Sequence, residues 1–265
     1  MRSLKKRVWR KESEIKNQEE ETRTTSIPRV LSPVSCLPSS PLTLALETTE
    51  KFGSVALLNG NHILEELHLP KDRRSSQTLH PALQILFERT QKTPADIDIV
   101  AVVAGPGSFT GLRVGVTAAK VFAYTTSAKV IALDTFQTVA AAVPLGTRVI
   151  SVGIDAQRGE VVAATFRQTA EGHLETIKQP QLIAIADWWK HAEQYDEVLY
   201  TGPALERWNG KAPPYIVLAE EFYWFPSASI AGKLAAERIA LGTFDDAQSL
   251  LPIYSRLSAA EEKFR

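Results

Sequence analysis

Apolar and polar positions alternate from Leu42 onward. LTLALETT (42–49) reads as a strand that closes on a carboxylate and two threonines. GSVALL (53–58) and HILEELHL (62–69) repeat the period of two, predicting a three-stranded β-meander. In SSQTLHPALQILFERTQ (75–91) the period changes: Leu79, Leu83, Leu86 and Phe87 share one helical stripe, and Ser75 or Ser76 is the expected N-cap. Pro81 is expected to kink this helix or mark its first regular turn. IDIVAVVAG (97–105) is almost continuously apolar, as a strand covered on both faces must be, and VIALD (130–134) is a second such strand. Near the end, ASIAGKLAAERIALG (228–242) predicts an amphipathic helix with Ile230, Leu234, Ile239 and Leu241 inward, Gly242 as C-cap, and the sheet as its support.

The pattern recurs. Residues 44–57 (LALETTEKFGSVAL) and 152–164 (VGIDAQRGEVVAA) both read strand, acidic turn, glycine, strand. The acid-to-glycine spacing is six in the first copy and four in the second. Two meanders, each followed by helices and buried strands, predict a duplicated α/β fold, with two unrelated hairpins as the competing reading. The expected divisions are a first lobe over 42–145, a second over 146–226, and a C-terminal helix and tail over 227–265 packing on the body. Trp188 and Trp189 read as packing of the second lobe.

What precedes Leu42 is different in kind. Residues 1–25 are densely charged, and 26–41 hold four prolines and five serines, so this stretch reads as a disordered extension and linker. A helix over 4–20 and a start-site artefact are the alternatives. Overall charge is zero, but residues 1–41 carry nine Lys/Arg against five Glu, which leaves 21 basic and 25 acidic groups for the rest. A mildly acidic body is not one that grips RNA by itself, so any contact with RNA is expected to come through a partner. Cys36, the single cysteine, rules out an intrachain disulfide and suits a reducing compartment. No apolar run is long enough to span a bilayer, and a soluble, cytoplasmic protein is expected.

Candidate chemistry concentrates at 105–115, GPGSFTGLRVG, between a buried strand and the apolar run VTAAKVFAY. Ser108 is placed to cap the helix that begins there. Such a start is an anion site in some proteins, with Gly107, Ser108, Thr110 and Arg113 as contacts, and a plain tight turn in others. It lacks the Lys-Ser/Thr pair of a Walker A loop and the spaced glycines of a nucleophile elbow. Gly111 and Gly115 fall four apart inside the helix, each costing about 1 kcal/mol relative to alanine. Close approach of another element, within the lobe or from another protein, must compensate.

GPGSFTGLRVG, with its preceding strand and the LALETT…GSVAL opening, closely resembles the TsaB (YeaZ) family, and IDAQRGEVVAATF and PIYSR are similar to family segments over residues 42–256. The resemblance implies a duplicated ribonuclease-H-like fold of the actin-like ATPase class with a degenerate nucleotide site. It implies a non-catalytic scaffold that dimerises with a TsaD-type threonylcarbamoyltransferase, works with a TsaE-type ATPase, and meets tRNA through the complex. ATP and metal are then expected on the partner subunits, with no cofactor of its own, and a homodimer through the same helical stripe is a further expectation. In the family the two helices of the first lobe provide the partner surface. Carried onto this sequence, that names Leu79, Leu83, Leu86 and Phe87 on the first helix, and Gly111, Leu112 and Gly115 on the second.

Two alternatives stay in view. A small-molecule kinase or ATPase of the same fold would use Glu47 with Thr48 and Thr49 in one phosphate loop and Asp155 in the other, but YTGPALERWNG lacks the glycine cluster of an adenosine loop. A glycoprotease-like peptidase would rest on Ser108 without an identifiable base. The five histidines (62, 68, 80, 173 and 191) include no pair four apart, so the lone helical His80 builds no metal site and no metal is expected.

Overall fold

The computed structural model describes residues 38, 40–146, 148–190 and 193–255, all within the unit that begins at Leu37. The charged extension, Cys36 and the terminal AAEEKFR lie outside the described residues.

Two five-stranded mixed sheets repeat one topology. The first contains β1 (Leu42–Glu47), β2 (Ser54–Asn59), β3 (His62–His68), β4 (Ile99–Gly105) and β5 (Lys129–Asp134), in the order β3-β2-β1-β4-β5. The second contains β6 (Arg148–Asp155), β7 (Glu160–Gln168), β8 (Leu174–Ala184), β9 (Val198–Thr201) and β10 (Val217–Leu218), in the order β10-β9-β6-β7-β8. In each, a meander runs antiparallel from the central strand and two further strands lie parallel on its other side. The weak repeat in the sequence is therefore a duplication of fold. Glu47 and Asp155 end the equivalent central strands β1 and β6.

Side-chain alternation sorts the first sheet into two cores. Leu44, Leu46, Leu57, Val100 and Val102 meet helices α1 (Ser75–Thr90) and α2 (Phe109–Thr126) on one face. Ala45, Ala56, Ala101 and Val103 meet helix α4 (Ala228–Ala240) on the other. All seven residues of β4 are buried, as a strand covered on both faces requires. Helix α3 (Thr135–Ala142), capped by the Asp134 carboxylate on the Gln137 N–H, sends Phe136, Val139 and Ala140 into the core of the second sheet. That sheet's opposite face is filled by Trp188, Trp189, Tyr200 and Trp208. Trp188 and Trp189 stack at 4.7 Å, and the Trp188 indole N–H donates to Ser151 Oγ at 3.0 Å, so the pair is packing.

Two local expectations need correction. Helix α1 starts one residue early, with Arg74 in the N-cap position and no side-chain cap, and it runs on through Pro81. Helix α4 seats itself mainly through Ala228, Ala231, Gly232 and Ala235, with Leu234 and Ile239 half-buried beside them. Its Gly232 faces Leu58 so closely that a Cβ would stand 2.8 Å from Leu58 Cδ2, and Leu241 is left exposed. A sheet face lined with alanines accepts a flat helix at short range, which leaves Ile230, Leu234 and Ile239 at the rim. Gly242 follows with φ +65°, as a residue ending a helix in the left-handed region does.

Candidate functional site

At the end of β1 the chain turns through Thr48, Thr49 and Glu50. Glu47, Thr48 and Thr49 are completely buried. Glu47 Oε1 accepts from the Thr49 N–H at 2.5 Å and from the Thr49 hydroxyl at 2.6 Å, whereas Oε2 meets no hydrogen-bond partner among the described residues. Burial pushes the Glu47 carboxyl up to about 7, against the lowering effect of the Thr49 hydroxyl and N–H. The half-buried Glu50 is pushed up to about 8, first by burial, then by the charges of Glu47 and Glu206. On the second lobe, Asp155 pairs with Arg207 at 3.4 Å and accepts from the Gln157 N–H at 3.0 Å, and Lys51 reaches across to Glu206 at 3.3 Å. The two phosphate-loop positions thus hold one acid close to neutral and one already paired. Among the described residues no three His, Cys, Asp or Glu side chains converge on a metal position.

The GPGSFTG turn locks onto this loop. Ser108 donates its N–H to the Thr49 carbonyl at 2.6 Å, and its hydroxyl accepts from the Gly111 N–H at 3.4 Å as the N-cap of α2. Gly107 faces Thr49 so closely that a Cβ would stand 2.7 Å from its Cβ. Thr48 Oγ1 donates to the Gly111 carbonyl at 2.8 Å. A Cβ on Gly111 would overlap the Thr48 carbonyl oxygen, and one on Gly115 would overlap Thr48 Oγ1. The glycine stripe therefore exists to let α2 lie against the 48–49 turn within the lobe.

On the outer side of the same helices runs a groove of about 590 Å³. Helix α1 supplies Ser76, His80 and Leu83, and α2 supplies Arg113, Thr117 and Val121, with Phe109 and Phe122 at its ends. Its floor is apolar, no carboxylate lines it, and Val121 is 54% exposed. Arg113 Cζ lies 4.1 Å from the centre of the Phe109 ring, and Arg113 Nε donates to the Tyr254 hydroxyl at 3.1 Å.

Of the seven residues expected to form a partner surface, only Leu79 and Leu83 reach this groove, and both are more than nine-tenths buried. Leu86 and Leu112 are fully enclosed, and Gly111 and Gly115 are buried against Thr48, so these four offer nothing to an outside partner. Phe87 is half-buried beside Phe122, at 6.2 Å between rings. The correction has a simple cause: the most apolar stripe of a surface helix faces its own core. The outward stripe, Ser76 and His80 with Thr110, Arg113, Thr117 and Val121, was visible in the sequence as the next face round each helix. The four residues named for an anion do not converge either. Gly107 and Ser108 are spent on Thr49 and on capping, while Thr110 and Arg113 turn into the groove. Ser108 makes no hydrogen bond to a titratable side chain among the described residues.

Residues 65–239 match the family model described as TsaD, tRNA N6-adenosine threonylcarbamoyltransferase. The tRNA threonylcarbamoyladenosine biosynthesis protein TsaB of Bacillus subtilis is 30% identical over 229 residues, covering 83% of this chain and 96% of that protein. The protein of the same name from Escherichia coli is 26% identical, again over 83% and 96%. Among solved structures, a Pseudomonas aeruginosa protein described as uncharacterized, with similarity to peptidase YEAZ, superposes with a TM-score of 0.71 at 23% identity, covering 82% of this chain and all of that one. This last likeness is one of fold.

Proposed function

Because this chain belongs to the TsaB family of tRNA threonylcarbamoyladenosine biosynthesis proteins, we propose that it is a non-catalytic subunit that docks a TsaD-type threonylcarbamoyltransferase through the α1–α2 groove. The observation that carries the reading is that groove: an open, apolar channel between two surface helices, built on a turn whose Thr48 hydroxyl and Thr49 carbonyl are already bonded within the chain. Exposed apolar surfaces of this kind mark contact sites.

The state of the would-be catalytic groups argues in the same direction. A nucleotide phosphate bound through a divalent cation calls for ionised, accessible carboxylates. Glu47 is enclosed, held near neutrality, and bonded to Thr49, while Asp155 is occupied by Arg207 and the Gln157 N–H. The face of the second sheet is filled by its tryptophans. In this reading the transfer of the threonylcarbamoyl group and the ATP-dependent steps belong to the TsaD-type and TsaE-type partners, tRNA is met by the assembly, and the assembly works in the cytoplasm.

An omission assay tests it. Purified chain, TsaD-type and TsaE-type proteins, ATP, threonylcarbamoyl-adenylate and tRNA are combined, and each protein is left out in turn. We expect no modified adenosine from this chain alone and none, or very little, without it. Full modification in its absence, or ATP turnover by the isolated chain that Asp155→Asn abolishes, would replace this reading with the kinase-like one.

A further inference from the structure

Resting on the reading that the α1–α2 groove seats the TsaD-type partner, we infer that Arg113 is the specificity determinant of that contact, pairing with a carboxylate on the apolar surface the partner lays into the groove. Arg113 is exposed at the lip, yet its orientation is fixed from two sides. Its guanidinium carbon lies 4.1 Å from the centre of the Phe109 ring, and its Nε donates to Tyr254 Oη at 3.1 Å. Phe109 and Tyr254 themselves stack at 4.3 Å with their planes 26° apart. The three side chains form one unit, so much of the rotamer freedom an arginine loses on binding is already gone. The terminal nitrogens of Arg113 make no hydrogen bond or ion pair among the described residues, which leaves them as donors for a partner.

Tyr254 is able to do this because the strap that carries it is anchored. Ile253 donates its N–H to the Ala104 carbonyl at 2.8 Å, at the end of β4. Its own carbonyl passes so close to Gly105 that a Cβ there would overlap it. Lys120 Nζ, from the middle of α2, donates to the carbonyls of Gln248 at 2.9 Å and Leu250 at 3.1 Å. Residues 252–255 thus lie anchored beside the start of α2, and Tyr254 holds the arginine in place.

Charge complementarity names the occupant. Residues 42–265 carry 25 acidic and 21 basic groups, yet no carboxylate lines the groove, whose ionisable members are His80 and Arg113. An apolar surface bearing one carboxylate is its complement. A phosphate backbone is not, because it would cover the apolar floor with charge and find a single fixed cation, where RNA binding draws on many.

The test measures the affinity of the full chain for the TsaD-type protein by calorimetry at two salt concentrations, with R113E, R113K, Y254A, Y254F and V121D, and thermal melting of each variant. Expected is a loss of about 30-fold or more for R113E and about 10-fold for Y254A. Smaller losses are expected for R113K and Y254F, because each keeps part of the arrangement. R113E also flattens the salt dependence, which a purely structural role would leave unchanged, and its melting temperature stays that of the wild type. If V121D weakens binding while R113E and Y254A stay within twofold of wild type, the assignment of Arg113 fails and the groove reading stands. If V121D has no effect, the groove reading itself fails and takes this inference with it. Should R113E abolish self-association of the chain, or tRNA binding by the complex, with partner affinity unchanged, the occupant is a second copy or RNA and the inference is overturned.

Discussion

Replacing Gly111 by alanine is the sharpest test of why this motif has its glycines. The added methyl would overlap the Thr48 carbonyl oxygen and stand 3.1 Å from the carbonyl carbon, against backbone that has no side-chain freedom to yield. Either α2 lifts from the 48–49 turn or the turn is pushed back. Overpacking of this kind costs about 1–3 kcal/mol. Displacement also weakens the Thr48 hydroxyl bond to the Gly111 carbonyl and the Ser108 N–H bond to Thr49, about 0.5–1.5 kcal/mol each. Alanine returns about 1 kcal/mol of helix propensity. The balance is a net loss of about 1–5 kcal/mol, and a central loss of about 3 kcal/mol in a chain of this size lowers the melting temperature by about 6–12 °C. Thr117→Ala, on the exposed side of the same helix, should stay within about 0.5 kcal/mol of wild type. Calorimetric melting of both variants is the assay. A Gly111→Ala chain as stable as Thr117→Ala would refute the close packing of α2 on the turn and return the glycine stripe to an external role.

Other expectations follow from the same contacts. The Glu47 carboxyl has a folded value of about 7 against an ordinary 4.5, so between those limits the folded chain keeps a proton that the unfolded chain has lost. Stability contributed in this way is full below pH about 4.5, falls as pH rises to about 7, and is flat beyond, for a loss of about 3 kcal/mol at most. Melting curves from pH 5 to pH 8 should therefore slope less in Glu47→Gln than in wild type, and an unchanged slope would place the titration elsewhere. Trp188→Phe removes the donor to Ser151 Oγ and part of a fully buried ring, so a loss of about 2–4 kcal/mol is expected in denaturant melts. A change under 1 kcal/mol would mean the second lobe repacks freely.

The fold was legible because its strands obey simple periods. The alternation in 42–58 and the unbroken apolar run in 97–105 each have one structural solution, and the two acidic turns announced the duplication that the paired sheet orders bear out. Less legible were features set by what an element meets. That α4 seats on alanines depends on Ala45, Ala56 and Ala101 presenting a flat face from strands far away in sequence. Glu47 reads as an ordinary acid at a strand end, and its enclosure arises only once Ser108 and Gly111 close over the turn. The enclosure of Leu86, Leu112, Gly111 and Gly115 was missed for a related reason. Hydrophobic strength points to the inside of a helix pair, whereas a surface for a partner combines moderate apolarity with exposure, as Thr117 and Val121 do.

The central claim, a subunit that acts by docking and contributes no chemistry, is tested most directly by titrating Val121→Asp chain into a fixed amount of the TsaD-type and TsaE-type proteins and measuring the rate of tRNA modification. A docking defect raises the concentration of chain needed for half-maximal rate, by about tenfold or more for a charge set in an apolar contact, and leaves the plateau at the wild-type rate. A plateau that falls while the half-maximal concentration stays put would mean that the groove takes part in the reaction itself, contradicting the account.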